Sequence, residues 1–387
     1  MLPPLLLHVA VLLFGMAAWL SINAIYVELP ILSPIVPESW NFASFIVVTI
    51  QISCICPLLY SLIRVKWPRA TSFIETPLVV LLFVIDVIGL VMTTFTYRSR
   101  TEIGGAQHSV WLLLSLLILC RLSSSSTSQL VTTFYIGMGF GAFVPSGLSF
   151  GQGSPKVDVL NSNTTSPSYV IHANFSFEVF IYIICAFVLV SLIAYVLLNL
   201  HIRHVERTSS SHQPYTEVET KSVGDDSSIL CPIIISLIAG AFQNSVLPSL
   251  INYSAAPYPS ETYHLSTTLF VMTNPLFCLL QHAYSFSSIP QLAVLSILAS
   301  IPTAYIIVLA FVKEALLFQG ASTLLLICAA LSAGLLSLLR TSTAARLASN
   351  SNKKALFLCG AATQAGSFVG AITVFVFSNI LHVFPAS

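Results

Sequence analysis

The stretch FGMAAWLSINAIYVELP, residues 14–30, decides how the rest of the chain is read. It begins as apolar helix and stops at a proline. Gly15, Trp19, Asn23 and Tyr26 recur at spacings of four, four and three, which places them on one helical face. That face offers a gap, an indole, an amide and a phenol, while the opposite face is Ala, Leu and Ile. An idle Asn in lipid is unfavourable, so the stripe is expected to look into a protein interior or a watery cavity. Glu28 follows near the helix end, just before Pro30. Such a helix mouth suits a flat, uncharged, hydrogen-bonding solute.

The rest of the composition agrees with a membrane setting. Of 387 residues, 56% are hydrophobic and only 7% charged. Soluble domains carry about a quarter charged residues, so the chain is read as an all-α polytopic membrane protein. A net charge of +1 gives no reason to expect a nucleic-acid partner. The eight cysteines lie in apolar segments or at their ends and read as buried thiols rather than disulfides. No basic n-region or A-x-A site marks the N-terminus, so the first apolar run is expected to stay as a span.

About eleven runs are long enough to cross a bilayer, near 5–27, 42–63, 76–96, 107–122, 130–150, 177–200, 229–250, 262–283, 289–312, 320–340 and 355–380. Lys and Arg set the orientation. With a cytoplasmic N-terminus, the inside loops hold Arg64, Lys66, Arg69, Arg121, Arg203, Arg207, Lys221, Arg340, Arg346, Lys353 and Lys354. Arg98, Arg100, Lys156 and Lys313 fall outside, and the C-terminus is extracellular. The sequons at Asn163, Asn174 and Asn252 all land on expected outside loops, where glycosylation is possible. The polar stretch 201–228 is expected to be a cytoplasmic disordered linker, with regulatory phosphosites as the alternative. It divides a six-helix bundle, 1–200, from a five-helix bundle, 229–387.

The two halves open alike. Gly15, Asn23 and Leu29-Pro30 are echoed by Gly240, Asn244 and Leu247-Pro248. Carriers built from related halves hold the solute between them near the midplane. Asn23 and Asn244, with Gln243 beside the latter, are therefore expected to meet solute, since no mid-helix proline of their own needs them. Asn274 precedes Pro275 and is read instead as serving that kink. Asp86, within FVIDVIGL, is an acid deep in a span. It is either a proton-coupling site or one member of a pair with a neighbouring hydroxyl. The glycines 137, 139 and 141, and 366 with 370, read as close helix packing. No catalytic motif, metal site or cofactor site is present, and the chain is not read as an enzyme.

FGMAAWLSINAIYVELPIL…VPESW, QNSVLPSLINYSAAPY, YHLSTTLFVMTNPL and TQAGSFVGAITVFVFSNILHVF resemble, in order, segments of the vertebrate riboflavin transporters of the solute-carrier class. The resemblance implies an eleven-span plasma-membrane carrier that takes up riboflavin, with Trp19, Asn23, Glu28 and Asn244 along the solute path. Gln243 stands where the family has Thr. The resemblance also implies a segment between spans four and five that this chain lacks, so Ser123 to Gln129 must supply the turn. Trp19 or Tyr26 can stack on the isoalloxazine ring, and Asn23 or Asn244 can meet its hydrogen-bonding edge. The competing expectations are a carrier of another planar neutral solute such as a nucleoside, and a non-transporting receptor or scaffold.

Overall fold

A computed structural model describes residues 3–55, 63, 66, 68–118, 131–159, 169–208, 227–284, 286–312, 320–349 and 353–384. The described helices fall on every expected apolar run. They are α1 (Pro4–Val27) with its continuation α2 (Leu29–Leu32), α3 (Phe42–Ser53), α4 (Pro68–Thr96), α5 (Val110–Leu117), α6 (Val131–Gln152) and α7 (Phe177–Thr208). Then come α8 (Ser227–Ala241) running through a π-helix (Phe242–Val246) into α9 (Leu247–Ala255), α10 (Ser260–Ala283) and α11 (Ile289–Phe311). Last are α12 (Ala321–Ser349) and α13 (Lys353–Phe375), the latter ending in a second π-helix (Val376–Ile380). Among the described residues, seven helices are long and apolar enough to cross a membrane. The chain is a polytopic all-α membrane protein.

Prolines mark the breaks. Leu29-Pro30 opens α2 just after Glu28 ends α1, and Leu247-Pro248 opens α9 just after the π-helix. Pro248 cannot donate to the Asn244 carbonyl, so the ladder slips by one residue and Leu247 N–H bonds Phe242 O. At α11 a Ser288/Gln291 capping box with Pro290 in the first turn fixes the start. Two small hairpins decorate the loops and were not expected from periodicity: β1 (Thr101–Ile103) with β2 (Ala106–His108), and β3 (Lys156–Val159) with β4 (Tyr169–His172). Gly104 and Gly105, at φ of +62° and +84°, supply the two left-handed residues that a tight hairpin turn needs.

Helices before residue 209 pack largely on one another, α1 against α6 and α7 and α4 against α5 and α7, while α3 touches α5 but lies more against α13 and α9 of the other half. Those after 226 do the same, with α8 against α13, α12 against α10 and α11, and α9 against α11. The seams inside each group are backbone-close. A Cβ on Gly137 or Gly141 would stand 2.2 or 2.4 Å from the carbonyl oxygens of Leu12 and Met16 on α1. On Gly366 it would stand 1.9 Å from Leu237 O on α8, and on Gly240 2.4 Å from Thr363 O on α13. The glycine ridges are therefore packing surfaces, as their spacing implied.

Several expectations are corrected. α12 continues past residue 340 to Ser349, so Arg340 lies inside the helix and not in an inside loop. TSTAARLAS contains neither Gly nor Pro to stop it. Asn252 is buried within α9, and its amide donates to the Trp40 carbonyl. No glycan fits on Asn252 in this conformation, because the chain leaves the helix only after Ala255. Asn174 is exposed, whereas Asn163, the turn at 123–129 and the core of the 201–228 segment lie outside the described residues. Six cysteines, at 54, 185, 231, 278, 328 and 359, are free thiols.

Candidate functional site

The two halves meet along α6 and α10, and again at the end where α1 closes and α9 and α13 finish. Trp40 packs on Tyr263 with ring centroids 5.4 Å apart, and the Ser33 and Tyr263 hydroxyls share a hydrogen bond of 3.2 Å. Asn252 reaches the Trp40 carbonyl, and the Tyr253 hydroxyl donates to Asn41 Oδ1. Asn379 donates to Ser44 Oγ at 2.7 Å, beside an edge-on contact of Phe45 with Phe375 at 5.1 Å. Glu38 pins the same loop by accepting from Ser109 N–H at 2.8 Å. Nearby, Tyr97 donates to Glu178 at 2.5 Å and accepts from Arg98 at 2.7 Å. Burial first, and then the Glu178 carboxylate, push its phenol up to about 12, so it remains a donor at neutral pH. Glu38, Trp40 and Tyr263 carry no periodic signal of their own, although VPESW and YHL, which contain them, lie in segments that resemble the family.

Deeper in, Trp19, Asn23 and Tyr26 are half-buried on α1, as their shared face predicts. Asn23 Nδ2 donates to Gly141 O on α6 at 3.1 Å. That carbonyl would ordinarily pair with the N–H four residues on, which is Pro145 and has none. The proline that needs Asn23 thus sits on a neighbouring helix, a dependence that reading α1 alone could not find. Asn23 Oδ1 keeps no hydrogen-bond partner among the described residues. Glu28 departs from the expected lining. It is wholly buried at the α1–α2 break, with the Gln152 amide alongside and neither oxygen hydrogen-bonded. Asp86 Oδ2 accepts from Ser21 Oγ on α1 at 2.8 Å, the hydroxyl pairing that was the alternative to a proton site.

The second cluster forms around the π-helix. The slipped turn lets the adjacent residues Gln243 and Asn244 aim at one group: Arg340 Nη1 donates to Gln243 Oε1 at 2.8 Å and to Asn244 Oδ1 at 3.2 Å. Gln243 Nε2 donates to Ser337 Oγ at 2.6 Å, and Asn244 Nδ2 to Ser367 Oγ at 2.9 Å. Ser337 in turn donates to Asn274 Oδ1. Asn274 therefore belongs to this network rather than to its own kink, which corrects the reading of it as a kink-server. The structure joins Gln243, Asn244 and Asn274 through residues that sequence missed, Arg340 and Ser337. Asn23 and Asn244 share no hydrogen bond.

The family model for solute carrier family 52, riboflavin transporter, matches residues 4–231 and 225–386. Riboflavin transporter 2 of Salmo salar is 27% identical over 449 aligned positions, spanning 99% of this chain and 97% of that protein. Riboflavin transporter rft-1 of Caenorhabditis elegans is 29% identical, spanning 97% of each. Homo sapiens riboflavin transporter member 3 of the family is 26% identical over 99% of this chain and 97% of its own length. Among solved structures, a D-xylose–proton symporter aligns with a TM-score of 0.58 at 14% identity, over 96% of this chain and 89% of its own. The nucleoside transporter NupG aligns at 0.55 and 12%, over 97% and 92%. The fold is shared with these carriers, and the match of the family model across nearly the whole sequence shows that the chain belongs to the riboflavin transporters of solute carrier family 52.

Proposed function

We propose that this chain carries riboflavin across the plasma membrane into the cell by alternating access between a six-helix and a five-helix bundle. The observation that carries the reading is the family match over both halves. Two polar clusters, around Asn23 and around the π-helix, supply groups suited to the solute. The aromatic stripe of Trp19 and Tyr26 can stack on the isoalloxazine, worth about 0.5–1.5 kcal/mol beyond area burial. The Asn23 acceptor suits the ring N3–H or a ribityl hydroxyl. With the N-terminus cytoplasmic, the end where Trp40, Asn41, Tyr253 and Tyr263 join the halves is the extracellular one. Asn163 and Asn174 then remain as outside glycan acceptors.

Labelled riboflavin uptake in cells expressing the chain tests the reading. Saturable uptake is expected, competed by unlabelled riboflavin and lumiflavin but not by nucleosides. Competition by nucleosides alone would move the chain to the other planar-solute class, and surface display without flux would make it a scaffold.

Asp86 offers a separate check. If it carries a coupling proton, Asp86→Asn flattens the dependence of uptake on outside pH while leaving surface level unchanged. A pH profile identical to wild type assigns Asp86 to its Ser21 pairing alone.

A further inference from the structure

The cluster at the π-helix contains a charge that transport of a neutral solute does not by itself explain. Arg340 lies within Ala321–Ala348, a stretch long and apolar enough to cross a membrane. Only Nη1 is engaged, by Gln243 and Asn244. Nε and Nη2 have no partner among the described residues, and the side chain is partly exposed. Among the described residues no carboxylate pairs with the guanidinium. Asp86 and Glu28 belong to the α1 side of the molecule, and the ionisable side chains near Arg340 are the thiols of Cys278 and Cys359.

An arginine inside a membrane protein without an acid is costly unless acceptors surround it. Here two amide oxygens hold one nitrogen and thereby fix the plane of the group. The opposite edge is left as two parallel N–H donors, a fork preset for two neighbouring acceptors. A hydroxyl presents one oxygen at a time and matches half of that fork. In a neutral oxidised flavin, N1 and the C2 carbonyl oxygen are adjacent, coplanar acceptors and match all of it. We propose that the free Nε–Nη2 edge of Arg340, positioned by Gln243 and Asn244, is the subsite that receives N1 and the C2 carbonyl of the isoalloxazine. This rests on the riboflavin reading and adds to it which part of the solute the C-terminal helices hold.

The test is calorimetric binding to the full chain in lipid nanodiscs. The ligands are riboflavin, 1-deazariboflavin, 5-deazariboflavin, lumiflavin and flavin mononucleotide; the proteins are wild type, Arg340→Lys and Arg340→Gln. Wild type is expected to bind 1-deazariboflavin about 10- to 100-fold more weakly than riboflavin, the range for losing a hydrogen bond to a charged group. Arg340→Gln should weaken riboflavin and lumiflavin by the same factor and erase the gap between riboflavin and 1-deazariboflavin. Arg340→Lys, keeping the charge without the fork, should fall between.

A gap that survives in Arg340→Gln overturns the proposal. So does a loss for riboflavin but not lumiflavin, which would put Arg340 on the ribityl chain. Discrimination against 5-deazariboflavin alone would place the N5 side of the ring there, and tighter binding of flavin mononucleotide would make the site a phosphate site. If Arg340→Gln does not fold, the wild-type comparison of the two deaza compounds still decides. Wild type that binds no flavin sinks the riboflavin reading itself, a different result from all of these.

Discussion

Gly366→Val is expected to abolish surface expression and to leave little folded protein in detergent. A Cβ at 366 would lie 1.9 Å from the Leu237 carbonyl oxygen and 2.7 Å from its carbon. Both are backbone atoms, so no rotamer change relieves the clash. Reaching ordinary contact means parting α8 and α13 by more than an ångström. That would also open the reciprocal approaches of Gly240 to Thr363 and Gly370 to Ala241. Overpacking a core costs about 1–3 kcal/mol and occasionally more. Here the whole seam gives way, so the upper end or beyond is expected. Gly360→Val is the matched control: it lies on the same helix, exposed, with nothing within 4 Å of its Cβ. Surface labelling and the melting temperature of solubilised protein read both. If Gly366→Val melts like the control, the helices are not in backbone contact.

Asn23→Ala is expected to lower both stability and uptake, and a second change separates the two effects. Removing the amide leaves Gly141 O without a donor, a loss of about 1–3 kcal/mol for a buried group. Pro145→Ala returns an N–H to α6 at the position that serves this carbonyl. The double variant Asn23→Ala/Pro145→Ala should therefore melt close to wild type, while riboflavin uptake stays low because the acceptor Oδ1 is gone. The coupling between two residues of one network is what such a cycle measures. Full recovery of uptake in the double variant would show that Asn23 serves the neighbouring helix and not the solute.

These cases show what the sequence could and could not convey. Apolar run length located every long described helix, and the Gly137/Gly141 and Gly366/Gly370 spacings gave away their ridges, because both are local patterns. Asn23 looked free for solute since α1 has no proline that needs it; its partner lies 118 residues away, and only the folded arrangement reveals the debt. Arg340 was read as a loop cation because it ends an apolar run. The helix runs on through residues of good propensity, so the charge sits within a span. Asn252 carried a valid sequon, yet a motif says nothing about whether its side chain is walled in. Glu28 stood on the right stretch of chain, but a proline break turns its side chain into the protein.

The seams of this molecule differ in kind, and that difference fixes where it can flex. Within each half, α1 on α6 and α8 on α13 touch main chain to main chain through glycine, a contact with almost no travel in it. Between the halves, α6 and α10 are joined by the Ser149–Thr268 hydroxyl bond at 3.0 Å, and α3 and α13 by Asn379 on Ser44 and a pair of phenyl rings. Hydroxyls can trade one partner for another, and rings can slide. The main-chain glycine seams are the struts; the seams between the halves, where even Gly139 meets the side chain of Pro275 rather than a carbonyl, are the ones with travel in them.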